Sequence, residues 1–170
     1  MSLTNARPNC SMKAPEIYDA AVFGDLQKVD RILTADPQAV NAKDEYGFTP
    51  LHGVVGEHHF EMAEYLIAKG ADVLSKNDNG VTPLHLASSP EMVRILVKHG
   101  ADLEAREGGG GTPLHLASEN PEALDVMREL LSLGADANAR DYSGGTALAT
   151  ALARDEQDKV DLLLTFGAQQ

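Results

Sequence analysis

Tryptophan is missing from this chain of 170 residues, and cysteine occurs only once, as Cys10. A single cysteine excludes an intramolecular disulfide and a cysteine-rich zinc site, and it favours a cytoplasmic protein. Four Tyr and four Phe are too few to supply a platform on which nucleic-acid bases stack. There is no run of about 18 apolar residues, and residues 1–15 lack the apolar core of a secretory signal. The sequence therefore predicts neither a membrane span nor a signal peptide.

Basic residues are also scarce, with 14 Lys and Arg against 26 Asp and Glu and a formal charge of -12. This acid excess argues against a nucleic-acid partner, which needs a basic footprint, and against docking on anionic lipid. Residues 1–15 hold two bases and no acid, so residues 16–170 hold 12 bases and 26 acids, or -14. Such a charge either attracts a basic partner or only keeps the protein in solution.

Two short sequence motifs recur along the chain. Thr-Pro-Leu-His occurs at 49–52, 82–85 and 112–115, and a degenerate copy, Thr-Ala-Leu-Ala, at 146–149; the spacings are 33, 30 and 34 residues. A second marker, Gly-Ala-Asp, follows at 70–72, 100–102 and 134–136, with a truncated Gly-Ala at 167–168. Two markers in constant order and at a near-constant period indicate a repeat architecture.

Each period predicts two short helices. Thr49 can cap a helix start, and Pro50 suits the first helical position. Apolar residues then recur at helical spacing in two sets, Leu51, Val54 and Val55 before a break at 56–59, and Met62, Ala63, Leu66 and Ile67 after it. Gly70 supplies the left-handed residue that ends the second helix. Such a pair cannot bury its apolar face alone, so neighbouring pairs must stack.

These residues resemble the ankyrin repeat family, through the Thr-Pro-Leu-His segment, the Leu-Ala-Ser that follows it at 86–88 and 116–118, and the Gly-Ala-Asp marker. The resemblance implies an all-α repeat solenoid of helix-turn-helix units with β-hairpin tips on one side. We expect a flexible lead at 1–15 and five repeats, at about 16–47, 48–80, 81–110, 111–144 and 145–170. The third repeat is three residues short near Ser89 and Pro90, which predicts a clipped first helix.

Candidate catalytic and metal-binding residues are few. His52, His85 and His115 recur in register, but equivalent residues of stacked helices lie about 8–10 Å apart, too far to share a zinc ion. We interpret these rings as structural groups that hydrogen-bond backbone or a threonine hydroxyl. His58 and His59 beside Glu57 and Glu61 are a weak metal candidate, because further ligands would be needed.

Nucleophiles and anion-binding loops are no better supported. Residues 108–111, four glycines before Thr112, superficially resemble a phosphate-binding loop, but the required lysine is missing, so we interpret them as a tip between two repeats. Cys10 falls in the flexible lead, and no serine lies in a Gly-x-Ser-x-Gly elbow. The sequence predicts no enzyme, no cofactor and no metal.

The predicted function is a monomeric, non-catalytic protein-binding module that favours basic partner surfaces. The family resemblance implies contacts from the tips, the concave face and the ends of the first helices. The candidates on tips are Glu45, Tyr46, Phe48, Asp78, Asn79, Val81 and Tyr142, and those at helix ends are Phe23, Glu57, Ser89, Glu119, Asn120 and Arg154. Exposed aromatic residues are favoured interface anchors. The competing interpretation is that Phe48 packs against a neighbouring tip and the acids only maintain solubility.

Two further functions stay open at this point. An acidic concave face could mask a basic toxin or enzyme, as an inhibitor or immunity protein does. Alternatively, the chain could be a structural module that associates with itself through an incompletely capped end near residues 167–170. A repeat framework specifies the scaffold, whereas its variable surface specifies the partner.

Overall fold

The computed structural model describes residues 15–56 and 59–169. The predicted lead up to residue 14, with Cys10, lies outside the described residues, as do Glu57 and His58. The described residues form nine α-helices and two 3₁₀ helices and no β-strand. None of these helices is both long and apolar enough to cross a membrane.

The helices alternate between two rows. The first row comprises α1 (Glu16–Val22), α3 (Pro50–Gly56), a 3₁₀ helix (Pro83–Leu86), α6 (Pro113–Glu119) and α8 (Ala147–Ala153). The second row comprises α2 (Leu26–Ala35), α4 (Phe60–Ala68), α5 (Pro90–Lys98), α7 (Leu124–Ser132) and α9 (Gln157–Thr165), and a 3₁₀ helix (Pro37–Asn41) follows α2. Successive first-row helices contact each other, and so do successive second-row helices from α4 onward. The predicted stack of helix pairs is confirmed.

The third repeat has the clipped first helix that its length predicts. Its 3₁₀ helix has four residues, whereas the other first-row helices have seven. The backbone turns directly into α5, where the Ser89 hydroxyl accepts a hydrogen bond from the Met92 amide at 3.3 Å. Pro90 takes the first helical position, where a missing amide costs nothing. The lack of three residues therefore shortens the first helix of this repeat, and Leu84 stays in the core.

One continuous core runs through the stack, because each layer contributes apolar residues at the same repeat positions. The first-row helices supply Ile17, Leu51, Leu84, Leu114 and Leu148, and the second-row helices supply Leu33, Leu66, Leu96, Leu130 and Leu163, all of them buried. Burying one such side chain contributes about 1.5–3 kcal/mol. Each layer gains this only when its neighbours cover it.

The three repeated histidines link neighbouring repeats. The Thr49 amide donates to Nδ1 of His52 at 3.2 Å, and the Thr49 hydroxyl lies 2.8 Å from the same nitrogen. Nε2 of His52 lies 3.0 Å from the carbonyl oxygen of Val81 in the next repeat. Since a carbonyl can only accept, Nε2 carries the proton. His85 and His115 repeat this geometry, which confirms the interpretation of these rings as structural.

A buried lysine fixes the last repeat to the fourth. Nζ of Lys159 donates to the carbonyl oxygens of Ser118 at 3.1 Å and Asn120 at 2.6 Å, where α6 ends. Glu156 lies 2.6 Å from the same ammonium group, and this lysine holds the pKa of the Glu156 carboxyl below its ordinary value. The last carbonyls of a helix have no partner within the helix, so Lys159 supplies the donors they lack.

Replacing Lys159 should destabilise the protein. We expect Lys159→Met to lower the free energy of unfolding by about 1–3 kcal/mol, because two backbone carbonyls lose their donor. The matched control, Lys98→Met, removes an exposed lysine and should change stability by less than about 0.5 kcal/mol. Urea denaturation measures both, and equal losses in the two variants would contradict the role of Lys159.

The histidine links should make stability depend on pH. Burial disfavours the imidazolium form and lowers the pKa of His52 and His85 below the ordinary value. A lowered folded-state pKa means that stability is complete above the unfolded-state pKa of about 6.5 and falls as pH drops below it. We expect His85→Gln to flatten the loss of unfolding free energy between about pH 7 and about pH 5. Urea midpoints at several pH values measure this slope, and identical slopes in both proteins would refute the assignment.

Candidate partner-binding surface

Four five-residue turns, here called the tips, project beside the first-row helices at residues 44–48, 77–81, 107–111 and 141–145. In each tip the amide of the first residue donates to the carbonyl of the fifth, as Asp44 does to Phe48 at 2.9 Å. The fourth residue is a glycine with a left-handed backbone, such as Gly47 with φ 79°. The implied β-hairpins are thus single turns, because five residues leave no room for a ladder of strand hydrogen bonds.

The first side chain of each tip closes the turn from within. One Asp44 oxygen accepts the amides of Tyr46 and Phe48, both at 2.9 Å. Three other side chains at this position do the same for the later tips: Asn77, Glu107 and Asp141. These side chains are used internally, so part of the acid excess maintains the tips and is not available to a partner.

In the glycine-rich tip, residues 107–111, the backbone amides already bind a carboxylate of the same tip. The amide of Gly109 donates to the Glu107 carboxylate at 2.8 Å, and the amide of Gly111 donates to it at 2.9 Å. These amides lower the pKa of the Glu107 carboxyl, so the carboxylate form is favoured there. The donors that would hold a phosphate therefore point at Glu107, in agreement with the interpretation of this segment as a tip.

Backbone hydrogen bonds join the tips into one row. The Asp78 amide donates to the Tyr46 carbonyl at 3.1 Å, the Gly108 amide to the Asn79 carbonyl at 2.7 Å, and the Tyr142 amide to the Gly109 carbonyl at 3.0 Å. Each tip is therefore held at a fixed position relative to the next, and the row presents its side chains on a rigid backbone.

A row of basic residues strengthens the same connection, and sequence reasoning missed it. The residue before each tip is Lys43, Lys76, Arg106 or Arg140. The first three donate to the carbonyl of the next member, at 2.8, 3.0 and 2.6 Å. The recurrence of Lys or Arg in register with Thr-Pro-Leu-His was the signal that could have revealed these contacts.

The outer edge of the tip row carries two exposed tyrosines and several exposed polar groups. Tyr46 is 54% exposed and Tyr142 is 73% exposed. The Tyr142 ring lies against Gly110, where a Cβ atom would come within 2.5 Å of it. Glu45, Asp78 and Asn79 are exposed as well. Within the described part of the chain, the carboxylates of Glu45 and Asp78 have neither an ion pair nor a hydrogen bond.

Three of the predicted contact residues are partly committed to the fold. Phe48 is half-buried and packs edge-on against the His52 ring, with centroids 5.6 Å apart. Val81 is half-buried, and its carbonyl accepts from His52. Ser89 is half-buried and caps α5. Each keeps some exposed area, but the contacts named here already explain its position.

The predicted residues at helix ends are spread along the opposite edge of the first row. Phe23 is strongly exposed at the end of α1, beside a cavity of about 310 Å³ lined partly by Leu26 and Phe60. Glu119 and Asn120 are exposed at the end of α6, and the Asn120 carbonyl holds Lys159. Arg154 is exposed at the end of α8 and donates to Glu156 at 3.1 Å.

Among the residues that the structure describes, these side chains do not form a metal site. Within residues 15–56 and 59–169, no group of three or more His, Cys, Asp or Glu side chains is arranged to hold a metal ion. Of the weak candidate around the second interhelical turn, His59 and Glu61 are described, and both line the 310 Å³ cavity. The arrangement on the tips can present aromatic rings and carboxylates to another molecule, which is the chemistry of recognition.

Comparison with known proteins agrees with this architecture. A sequence model described as ankyrin repeats (3 copies) matches residues 17–107, and a second, described as ankyrin repeats (many copies), matches residues 96–151.

Three curated proteins illustrate the likeness. Ankyrin repeat-containing protein P1E11.10 of Schizosaccharomyces pombe is 32% identical over 84 residues, which is 48% of this chain and 39% of that protein. Alpha-latrocrustotoxin-Lt1a of Latrodectus tredecimguttatus is 35% identical over 48% of this chain and 6% of its own length. RelA-associated inhibitor of Mus musculus is 37% identical over 43% of this chain and 9% of its own length.

The match thus spans less than half the length of each of these relatives. Members of this family generally act as interaction modules without catalysis. The repeat markers, the stacked helix pairs and the matching family models together lead to one conclusion: the chain belongs to the ankyrin repeat family.

Proposed function

We propose that this protein is a non-catalytic module that binds another protein through its tip row and the adjoining concave face, and that it favours a basic partner surface. The observation that supports this is the combination of exposed Tyr46 and Tyr142 with the unpaired carboxylates of Glu45 and Asp78. Exposed aromatics on a rigid backbone are favoured interface anchors, since little conformational entropy is lost when they bind.

The charge available for recognition is concentrated at the first two tips. Asp44, Glu107 and Asp141 are occupied by backbone amides, whereas Glu45 and Asp78 are free to meet a cation. A lysine or arginine of the partner near Tyr46 would gain both an ion pair and a cation–π contact. The fourth tip offers mainly the apolar ring of Tyr142. We therefore expect the basic part of the partner to lie over the first two tips.

The net charge of -14 on residues 16–170 supports electrostatic steering of such a partner. Association should slow as ionic strength rises, because salt screens charges that are more than about 8–10 Å apart. We also propose a cytoplasmic setting, since one cysteine in 170 residues suits a reducing compartment. We further propose a monomeric state, since a large net charge of one sign disfavours self-association.

Inhibition of a basic enzyme or toxin is the second candidate function. One relative bears the name RelA-associated inhibitor, and its match covers 43% of this chain. An acidic tip row laid over a basic active site would block access to it by occupancy alone. In this candidate the partner loses its own activity on binding, whereas in the first it does not. A fall in the partner's activity in the complex would therefore favour inhibition.

Affinity purification followed by mass spectrometry should identify the partner, and tip variants then test the surface. We expect Tyr46→Ala and the double variant Glu45→Gln, Asp78→Asn each to weaken binding by about tenfold or more, since anchors and free charges are lost. Titration calorimetry at low and high salt measures this, and the charge variant should also reduce the salt dependence.

The control is Asp125→Asn, which removes an exposed carboxylate on the second helix row. Its circular dichroism and its partner affinity should match the wild type. Unchanged binding in both tip variants would refute the tip row as the binding surface. A partner that binds equally well at about 0.5 M salt would refute the electrostatic part alone.

A further inference from the structure

An asparagine side chain joins the first repeat to the second at a place outside the tips. Asn41 is the last residue of the 3₁₀ helix Pro37–Asn41, and its side-chain oxygen accepts the Asp72 amide at 2.8 Å. Its side-chain NH2 group donates to the Gly70 carbonyl at 3.0 Å. One carboxamide thus satisfies a backbone donor and a backbone acceptor of the next repeat.

The same link recurs between the fourth and fifth repeats. The Asn138 side chain accepts the Gln169 amide at 2.7 Å and donates to the Gly167 carbonyl at 3.1 Å. Between the third and fourth repeats the position is held by Glu104, whose carboxylate accepts the Asp136 amide at 2.8 Å. A carboxylate has no donor, so this third link satisfies the amide alone.

The junction between the second and third repeats lacks such a link, because Leu74 occupies the position. Leu74 lies two residues before Lys76, as Asn41 lies two residues before Lys43. Lys76 donates to the carbonyl of Arg106 in the next repeat, as Lys43 does to the carbonyl of Lys76, so the two junctions share one register. A leucine side chain neither donates nor accepts a hydrogen bond, so it cannot replace the asparagine.

The backbone groups that the missing link would satisfy are the Asp102 amide and the Gly100 carbonyl, here called the open pair. Within the described part of the chain, that amide donates to no acceptor and that carbonyl accepts from no donor. Both residues are exposed. The local backbone matches that of the filled pair, since φ is 92° at Gly100 and 95° at Gly70. The open pair therefore has the arrangement that holds a carboxamide at the first junction.

Leu74 adds an apolar group beside the open pair. Its side chain is 50% exposed. Its amide donates to the Asp72 side chain at 2.9 Å, and the Asp72 amide is held in turn by Asn41, so the backbone at Leu74 is fixed. The shared register places Leu74 next to the open pair, because the equivalent asparagines reach the corresponding amide and carbonyl. A leucine and two polar groups in fixed positions are thus available to another molecule.

We propose that Leu74 and the open pair form a second docking site, which binds an asparagine side chain of a partner protein together with an apolar residue next to it. The partner's side-chain oxygen accepts the Asp102 amide, its NH2 group donates to the Gly100 carbonyl, and its apolar neighbour packs on Leu74.

Asparagine is the occupant that the other junctions indicate. Both filled copies of this backbone pair use an asparagine, through the same oxygen and the same NH2 group. An acidic side chain is a poorer fit, because Glu104 satisfies the amide and leaves the carbonyl without a donor. The site uses no residue of the tips, so its test is separate from that of the tip row.

A capped tripeptide, Leu-Asn-Leu, tests the site by NMR on the full chain labelled with ¹⁵N. The Asp102 amide resonance should move downfield and saturate at millimolar peptide, since two hydrogen bonds and one apolar contact offset little of the cost of association. The Asp72 amide, which Asn41 already occupies, should not move. Capped Leu-Ala-Leu and Leu-Asp-Leu should give no saturable shift, because the first lacks a side-chain carboxamide and the second lacks its donor.

Two variants of Leu74 separate the open pair from the apolar contact. Leu74→Asn supplies the missing carboxamide from within the chain, so the Asp102 amide should exchange with solvent about tenfold more slowly and the peptide should no longer bind. Leu74→Ala leaves the pair open, so the Asp102 resonance should still shift, with an affinity lower by about threefold to tenfold.

The matched control is Leu152→Asn, which makes the same substitution at a leucine of α8 that is 47% exposed. This variant should bind the peptide as the wild type does. In Leu74→Asn, slowed exchange of the Asp102 amide shows that the variant is folded and that its pair is closed.

Four results would overturn the proposal. The first is the absence of a saturable Asp102 shift in the wild type, and the second is unchanged Asp102 exchange in Leu74→Asn, which would contradict the register. Equal binding of Leu-Ala-Leu and Leu-Asn-Leu would assign the site to a backbone peptide group of the partner. Equal loss of binding in Leu74→Asn and Leu74→Ala would reduce the site to an apolar contact.

Discussion

The structure depends on the inability of any one layer to fold alone. A first-row α-helix has seven residues and most second-row helices have nine, and helices shorter than about 12 residues are marginal in water. Their stability comes from burying leucines at the same repeat positions against the layers on either side. The polar links between layers follow the same logic, since His52, His85 and His115 each use a carbonyl of the next repeat.

The acidic residues of the tips fall into two groups with different roles. Carboxylates at the first position of a tip, such as Asp44 and Asp141, accept amides of their own turn and keep it closed. The next position, occupied by Glu45 and Asp78, is exposed, and these carboxylates have no ion pair or hydrogen bond among the described residues. Some acidic residues of the repeats therefore maintain the fold, and others are available to a partner. The amino-acid composition alone does not distinguish the two groups.

The first and last described layers differ in their exposed side chains. In the first layer, the exposed side chains along α1 and α2 are mostly polar. Phe23 and Leu26 are exposed apolar exceptions. In the last described layer Leu152 and Leu164 are exposed, whereas Val55, Ser118 and Leu131 at equivalent positions are buried. Besides the apolar core, Lys159 attaches this layer to the fourth repeat; it occupies the position of Val126 in α7 and reaches carbonyls at the end of α6.

The repeat markers were sufficient to predict the stack, the helix pairs, the clipped third repeat and the structural histidines, because each follows from residues within one period or from the period itself. Other properties were decided by contacts between residues about 30 positions apart. They include the partial burial of Phe48, the row from Lys43 to Arg140, the exposure of Leu152 and the division of the tip acids. Local sequence carries no record of which neighbour will cover a side chain or accept its hydrogen bond. Exposure and pairing are properties of the assembled stack, and only the tertiary structure could decide them.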